Sequence, residues 1–236
     1  MGGGDEPPRG GEPGGYDGGG TWGDSVLAWS SAARKRDLVP GGHYRKHVMV
    51  CQHKGEGGCL NRGGFEVKKQ FNALVNENAH DDLKVSSVGT MGYCDWGPMA
   101  VVYPDNVWYE GLTTEDVPRI FEEHILGGEP VDDLAFDPDL PDDFRHVFVC
   151  TFIANCAQVD GGKVYRWFKQ RESDDRSLKV TVSMGCLKEC SMGPVVCVYP
   201  AGEWYTGMTE RKAERAYEAW QEGRVPPSLT GRTTGD

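Results

Sequence analysis

Apolar runs of strand length alternate with amphipathic stretches of helix length along this chain, and the whole succession occurs twice. HVMVC at 47–51 and HVFVC at 146–150 each predict a short buried strand, Val48–Val50 and Val147–Val149, running straight into a cysteine. FEVKKQFNALVNEN at 65–78 predicts a helix with Phe65, Phe71, Leu74 and Val75 toward one face, and GKVYRWFKQRE at 162–172 is its counterpart. A polar turn then leads into a second strand, LKVSSV at 83–88 or LKVTVSM at 178–184. After a cysteine-bearing loop, Gly-Pro opens the strands MAVVYP and VVCVYP, and a turn followed by WYEG or WYTG completes a hairpin. TEDVPRIFEEHILGG and TERKAERAYEAWQEG predict a closing helix, each ended by glycine. Thr114 is the expected N-cap of the first, with a later start at Pro118 as the alternative, and Thr209 caps the second.

The repeat extends to the long match between CDWGPMAVVYPDNVWYEG at 94–111 and CSMGPVVCVYPAGEWYTG at 190–207. Two copies of a βαββα pattern predict two small α/β domains, at 41–133 and 146–225, with helices covering part of a mixed sheet. The segment 134–145 is acidic and punctuated by proline, as expected of a linker or a packed extended arm. Residues 1–40 begin with a glycine-rich stretch expected to be disordered, followed by a docking segment around Trp22, Val26, Leu27 and Trp29. Residues 226–236 are expected to be a flexible tail.

Composition narrows the class. The chain has 236 residues, a formal net charge of -11 and eight cysteines. It holds no apolar run long enough for a membrane span and no apolar N-terminal stretch of signal type, so a cytoplasmic protein is expected. Cysteines in that compartment argue for metal ligation or thiol chemistry over a disulfide framework. Acidity concentrated between 41 and 145 disfavours nucleic acid and would steer a basic redox partner. Phosphate-loop and dinucleotide fingerprints are absent.

Cys150, Cys156, Cys186 and Cys190 form two pairs, C-x5-C and C-x3-C, on loops that each leave a strand. Four thiolates so arranged suit a [2Fe-2S] rhomb, which takes two sulfur ligands per iron. A structural zinc site with four cysteine ligands is the alternative chemistry. Cys51, Cys59 and Cys94 align with Cys150, Cys156 and Cys190, but Thr90 stands opposite Cys186. The first copy therefore offers three thiols, with His53 as a candidate fourth ligand although it lies in the wrong loop. Cys197 aligns with Val101 inside a strand, so it reads as an inert core residue. His47, His124 and His146 read as structural.

The residues His47-Val-Met-Val-Cys51, Cys59-Leu-Asn-Arg-Gly and Cys94-x-x-Gly-Pro, with their second-copy equivalents, resemble the thioredoxin-like [2Fe-2S] ferredoxins. They also resemble the small [2Fe-2S] subunit of respiratory complex I, whose short first cysteine loop is closer to that of the second copy. The resemblance implies two tandem thioredoxin-like ferredoxin domains and one-electron transfer through a cluster held by Cys150, Cys156, Cys186 and Cys190. It further implies an electron carrier, not an enzyme, with a redox donor and acceptor, a larger oxidoreductase complex as host, and often a homodimer. The thioredoxin-like fold also suggests cis bonds at Pro98 and Pro194. One cluster is expected, with Cys51, Cys59, Cys94 and His53 as the residues of a second. A docking or assembly subunit that uses the incomplete first domain is the competing function. The C-x-x-C spacing of a dithiol enzyme is absent.

Overall fold

Both HV-x-VC strands are apolar on two faces, which requires cover on both sides, and the molecule supplies it. The structure is a computed structural model that describes residues 44–152, 156–187 and 193–226. The expected tail and docking segment at 1–40, Cys190, and most of the 226–236 tail lie outside the described residues.

The first half runs β1 (Lys46–Cys51), α1 (Gly64–Glu77), β2 (Leu83–Val88), β3 (Ala100–Tyr103), β4 (Val107–Tyr109) and a closing helix, α2. A short β5 (Ala135–Phe136) follows. The second half repeats the order with β6 (Arg145–Cys150), α3 (Gly161–Glu172), β7 (Leu178–Ser183), β8 (Val196–Tyr199), β9 (Glu203–Tyr205) and α4 (Glu210–Gln221). Within each half two strands are parallel, β1 with β2 and β6 with β7, and the remaining pairs are antiparallel. Among the described residues the strand order is β5-β4-β3-β1-β2-β7-β6-β8-β9, and the halves join where Val88 of β2 meets Ser183 of β7.

Side-chain alternation explains the layers. Val48 and Val50 pack under α1 and α2 with Val67, Phe71 and Ile120, while Val147 and Val149 pack under α3 and α4 with Val164, Phe168 and Ala216. The opposite faces carry Met49, Val101, Tyr103 and Trp108 from the first half and Phe148, Cys197, Tyr199 and Trp204 from the second, all in one core cluster. Tyr103 stacks on Tyr199 with ring centroids 4.5 Å apart and planes 7° apart. The two half-sheets therefore pack face to face, helices outside. Each fully buried side chain of this kind contributes about 1.5–3 kcal/mol relative to exposure.

Two buried histidines lock the contact reciprocally. His47 Nδ1 is hydrogen-bonded to Tyr199 Oη at 3.0 Å, and His146 Nδ1 to Tyr103 Oη at 2.8 Å. His47 stacks on Trp204 and His146 on Trp108. The hydroxyl of Thr181 donates to the carbonyl of Thr90 at 3.0 Å, so it accepts from His146 Nε2, 2.9 Å away. His146 Nδ1 then accepts from Tyr103. Burial pushes both imidazoles well below their usual pKa, in keeping with neutral rings.

Two expectations are corrected. Phe65 is exposed, and the buried stripe of α1 is Gly64, Val67 and Phe71. Phe65 and Phe71 are six residues apart, which places them on different faces at 3.6 residues per turn. The first closing helix is not capped by Thr114. It begins at Asp116, where Thr113 donates both its N–H and its hydroxyl to the Asp116 carboxylate, and Pro118 sits in the first turn, where it is tolerated. That helix, α2, is α-helical over Asp116–Arg119 and continues as a π-helix over Ile120–Leu126. Thr209 caps α4 as expected, its hydroxyl accepting from Lys212 N–H at 3.3 Å. The segment 134–145, read as a linker or a packed extended arm, includes β5, paired with β4 through Trp108 and Phe136. The bonds before Pro98 and Pro194 are cis, and so are those before Pro104 and Pro200.

Candidate metal centre

Cys51 ends β1 on the face turned toward the other half, and Cys59 opens a short 3-10 helix, Cys59–Arg62. Cys94 opens another, Cys94–Trp96. Backbone proximity makes the convergence possible. A Cβ on Gly97 would lie 2.4 Å from Cys59 Sγ, and one on Gly64 would lie 2.8 Å from the Cys51 carbonyl, so neither position accepts a larger residue. The sulfurs of Cys51, Cys59 and Cys94 lie within 4.8 Å of one another, the set competent for a metal among the described residues. Cys51 and Cys94 are 3.8 Å apart. Cys51 and Cys59 are fully buried and Cys94 is partly exposed.

The Cys51 thiol is held down to about 6, first by a hydrogen bond from Cys59 and then by N–H groups of His53 and Met91, against the opposing effect of burial. Cys59 is pushed up for the converse reason, since it holds the proton that Cys51 gives up. The pair therefore shares one proton between its two sulfurs. The ring of His53 is not in the sulfur set; its backbone N–H serves Cys51 instead. Thr90 lies at the gap, its hydroxyl 3.4 Å from Cys94 Sγ and accepting Gly92 N–H at 3.1 Å.

Sequence reading missed Arg62. Its guanidinium donates to the carbonyls of Cys94, Asp95 and Gly97 at 3.2, 2.7 and 3.4 Å, clamping the Cys94 loop to the Cys59 helix. A lone cation in a glycine-rich loop was the only signal, and periodicity does not register it.

In the second half Cys150 ends β6 and Cys156 precedes α3, with Gly161 again in close contact, its Cβ position 2.6 Å from the carbonyls of both cysteines. The Cys150 thiol is held down to about 6, first by Cys156 and then by the N–H groups of Phe152 and Leu187, with Lys84 of the first half adding to this. Cys150 Sγ also lies 4.0 Å from the Gly185 carbonyl, so both neighbours of Cys186 touch Cys150. Cys186 is partly exposed. Cys197 is wholly buried, and burial pushes its thiol well up, as an inert core residue requires. No described helix is long and apolar enough to cross a membrane.

No family model matches the chain. Over 103 residues it is 37% identical to a [2Fe-2S] ferredoxin of Aquifex aeolicus, covering 41% of this chain and 93% of that protein. A [2Fe-2S] ferredoxin of Clostridium pasteurianum is 34% identical over 93 residues, or 37% of this chain and 91% of that protein. Among solved structures, the wild-type thioredoxin-like [2Fe-2S] ferredoxin of Aquifex aeolicus matches with 37% identity and a TM-score of 0.38, covering 40% of this chain and 98% of the other.

Proposed function

Because the chain belongs to the [2Fe-2S] ferredoxins, with one such domain spanning about 41% of its length, we propose that it is an electron carrier of the thioredoxin-like kind whose [2Fe-2S] cluster sits in the second half. The observation that carries the assignment is the four-cysteine set of this half, where the first half has Thr90 in place of a fourth cysteine. Gly185 and Leu187, the two neighbours of Cys186, both lie against Cys150. Cys150, Cys156, Cys186 and Cys190 supply the four thiolates such a rhomb requires. The bound cluster supplies one-electron chemistry, and the protein turns over no substrate of its own. The Phe152 and Leu187 N–H groups donate to the Cys150 sulfur, and Lys84 sets a positive charge near it, two levers that tune a potential.

Both halves are read as copies of one fold, docked within the chain as two subunits of a dimer would dock. The acidic surface between 41 and 145 would steer a basic donor or acceptor, a docking role compatible with membership of a larger oxidoreductase complex or with a homodimer of whole chains.

Iron and acid-labile sulfide on anaerobically purified protein, with electron spin resonance after one-electron reduction, test the assignment. Wild-type protein is expected to give two irons and a [2Fe-2S] signal, and Cys186→Ala to lose both. A full signal in Cys186→Ala would sink it, and four zinc-thiolate bonds with no iron would favour the structural-zinc alternative.

A further inference from the structure

The three sulfurs of the first half do not fit the group that the family implies. A rhomb assigns one pair of cysteines to each iron, and bridging sulfides keep the two pairs apart. Thr90 leaves the second pair one thiolate short. Cys51 and Cys94, which belong to different pairs, approach to 3.8 Å. That separation is the edge of a tetrahedron around one ion: a zinc–sulfur bond of about 2.3 Å places neighbouring sulfurs about 3.8 Å apart. All three sulfurs fall within 4.8 Å, so one ion can touch all of them.

We propose that Cys51, Cys59 and Cys94 hold a single divalent ion of the zinc class, with water as the fourth ligand, and that this centre is redox-silent. Thr90 acts beside it rather than in it. Its oxygen is occupied by Gly92 N–H, which leaves the hydroxyl proton to stabilise the Cys94 thiolate 3.4 Å away. Partial exposure of Cys94 gives water its access. Three thiolates on a divalent ion leave one net negative charge, and Arg62, bonded to the carbonyls of Cys94, Asp95 and Gly97, brings a cation to the same loop. The equivalent position in the second half is Val159, which has no such donor. Binding displaces the remaining thiol protons and ties β1, the Cys59–Arg62 helix and the Cys94–Trp96 helix to one point.

The test uses the full chain carrying Cys150→Ala and Cys186→Ala, so that the second half keeps too few thiols for a cluster or for a three-thiolate ion. Chelator-treated protein is titrated with Zn²⁺ alone and, in parallel, with Co²⁺ alone. One equivalent of each is expected, with the intense visible absorption of tetrahedral cobalt–thiolate. Cys94→Ser, at the partly exposed ligand, is expected to abolish the cobalt spectrum, and Arg62→Ala to weaken binding about tenfold, as outer-shell substitutions do. Far-ultraviolet circular dichroism establishes that each variant is folded. Two irons with two sulfides in that double variant would overturn the proposal in favour of a rhomb, as would absence of zinc and cobalt binding by folded protein in favour of a packing remnant. Elemental analysis of wild-type protein needs no substitution: one zinc beside two irons supports the assignment, and four irons without zinc overturn it. Failure of the second-half cluster would show separately, as missing iron in wild-type protein beside intact zinc binding.

Discussion

The two halves share a scaffold and differ where chemistry would sit. Met49 and Phe148 occupy equivalent positions in β1 and β6, each buried on the inner face, and His47 and His146 make mirror-related hydrogen bonds. Against that sameness stand Thr90 opposite Cys186, Arg62 opposite Val159, and a seven-residue loop between Cys51 and Cys59 opposite a five-residue loop between Cys150 and Cys156. The sheets and helices tolerate little change because each side chain is matched to a partner. The loops lie outside that packing, so they are freer to diverge.

The equivalence of the inner faces can be broken most forcefully at Phe148. Phe148→Ala is expected to cost about 3–5 kcal/mol and Met49→Ala about 2–5 kcal/mol in denaturant unfolding, since both leave cavities in one shared core. A large loss for one and none for the other would mean that the halves do not rely on a common interior.

Acid offers a second probe. Below about pH 6.5 the unfolded chain takes up a proton at each imidazole, while buried His47 and His146 stay neutral to lower pH, depressed chiefly by burial and further by Lys84, and by Lys179 and Lys169, respectively. The unfolded state then binds more protons, so stability is fully present above pH 6.5 and falls as pH drops from there. The slope is up to about 1.4 kcal/mol per pH unit for each ring. Thermal melts between pH 7 and 5.5 should show this decline, and a single His146→Gln substitution should flatten it by about half.

Tyr103→Phe and Tyr199→Phe sharpen the same symmetry at smaller scale. Each deprives a buried histidine nitrogen of its partner, and each is expected to cost about 1–3 kcal/mol in urea titration. The smallest contrast lies at the closing helices. Thr209→Ala should cost about 1 kcal/mol through loss of a cap. Thr114→Ala, at a residue that caps nothing, should stay within about 0.5 kcal/mol.

Much of this was legible before the structure. LKVSSV at 83–88 coincides with β2 because an apolar run bounded by turns has few other solutions. Cys197 was recognisable as core from Val101, and both occupy the same register, opposite Phe148 and Met49. The three first-half sulfurs could be paired by the repeat alone. What could not be read was tertiary. Phe65 looked apolar enough to be buried, but the angular position of Val67 decided the stripe. The stacking of Tyr103 on Tyr199 depends on two half-sheets folding over one another, which no local period encodes. Arg62 acts on carbonyls, and carbonyls carry no residue signature.

The chain Tyr103 to His146 to Thr181 to the Thr90 carbonyl crosses from one half to the other and back, ending at the residue where the two loops differ. Two separate identical subunits could not differ there, because any substitution would be written into both copies at once. Joining the halves through residues 137–144 removes that obligation. One half can give up a ligand while the other keeps its own, and the shared interior still holds the altered loop in place.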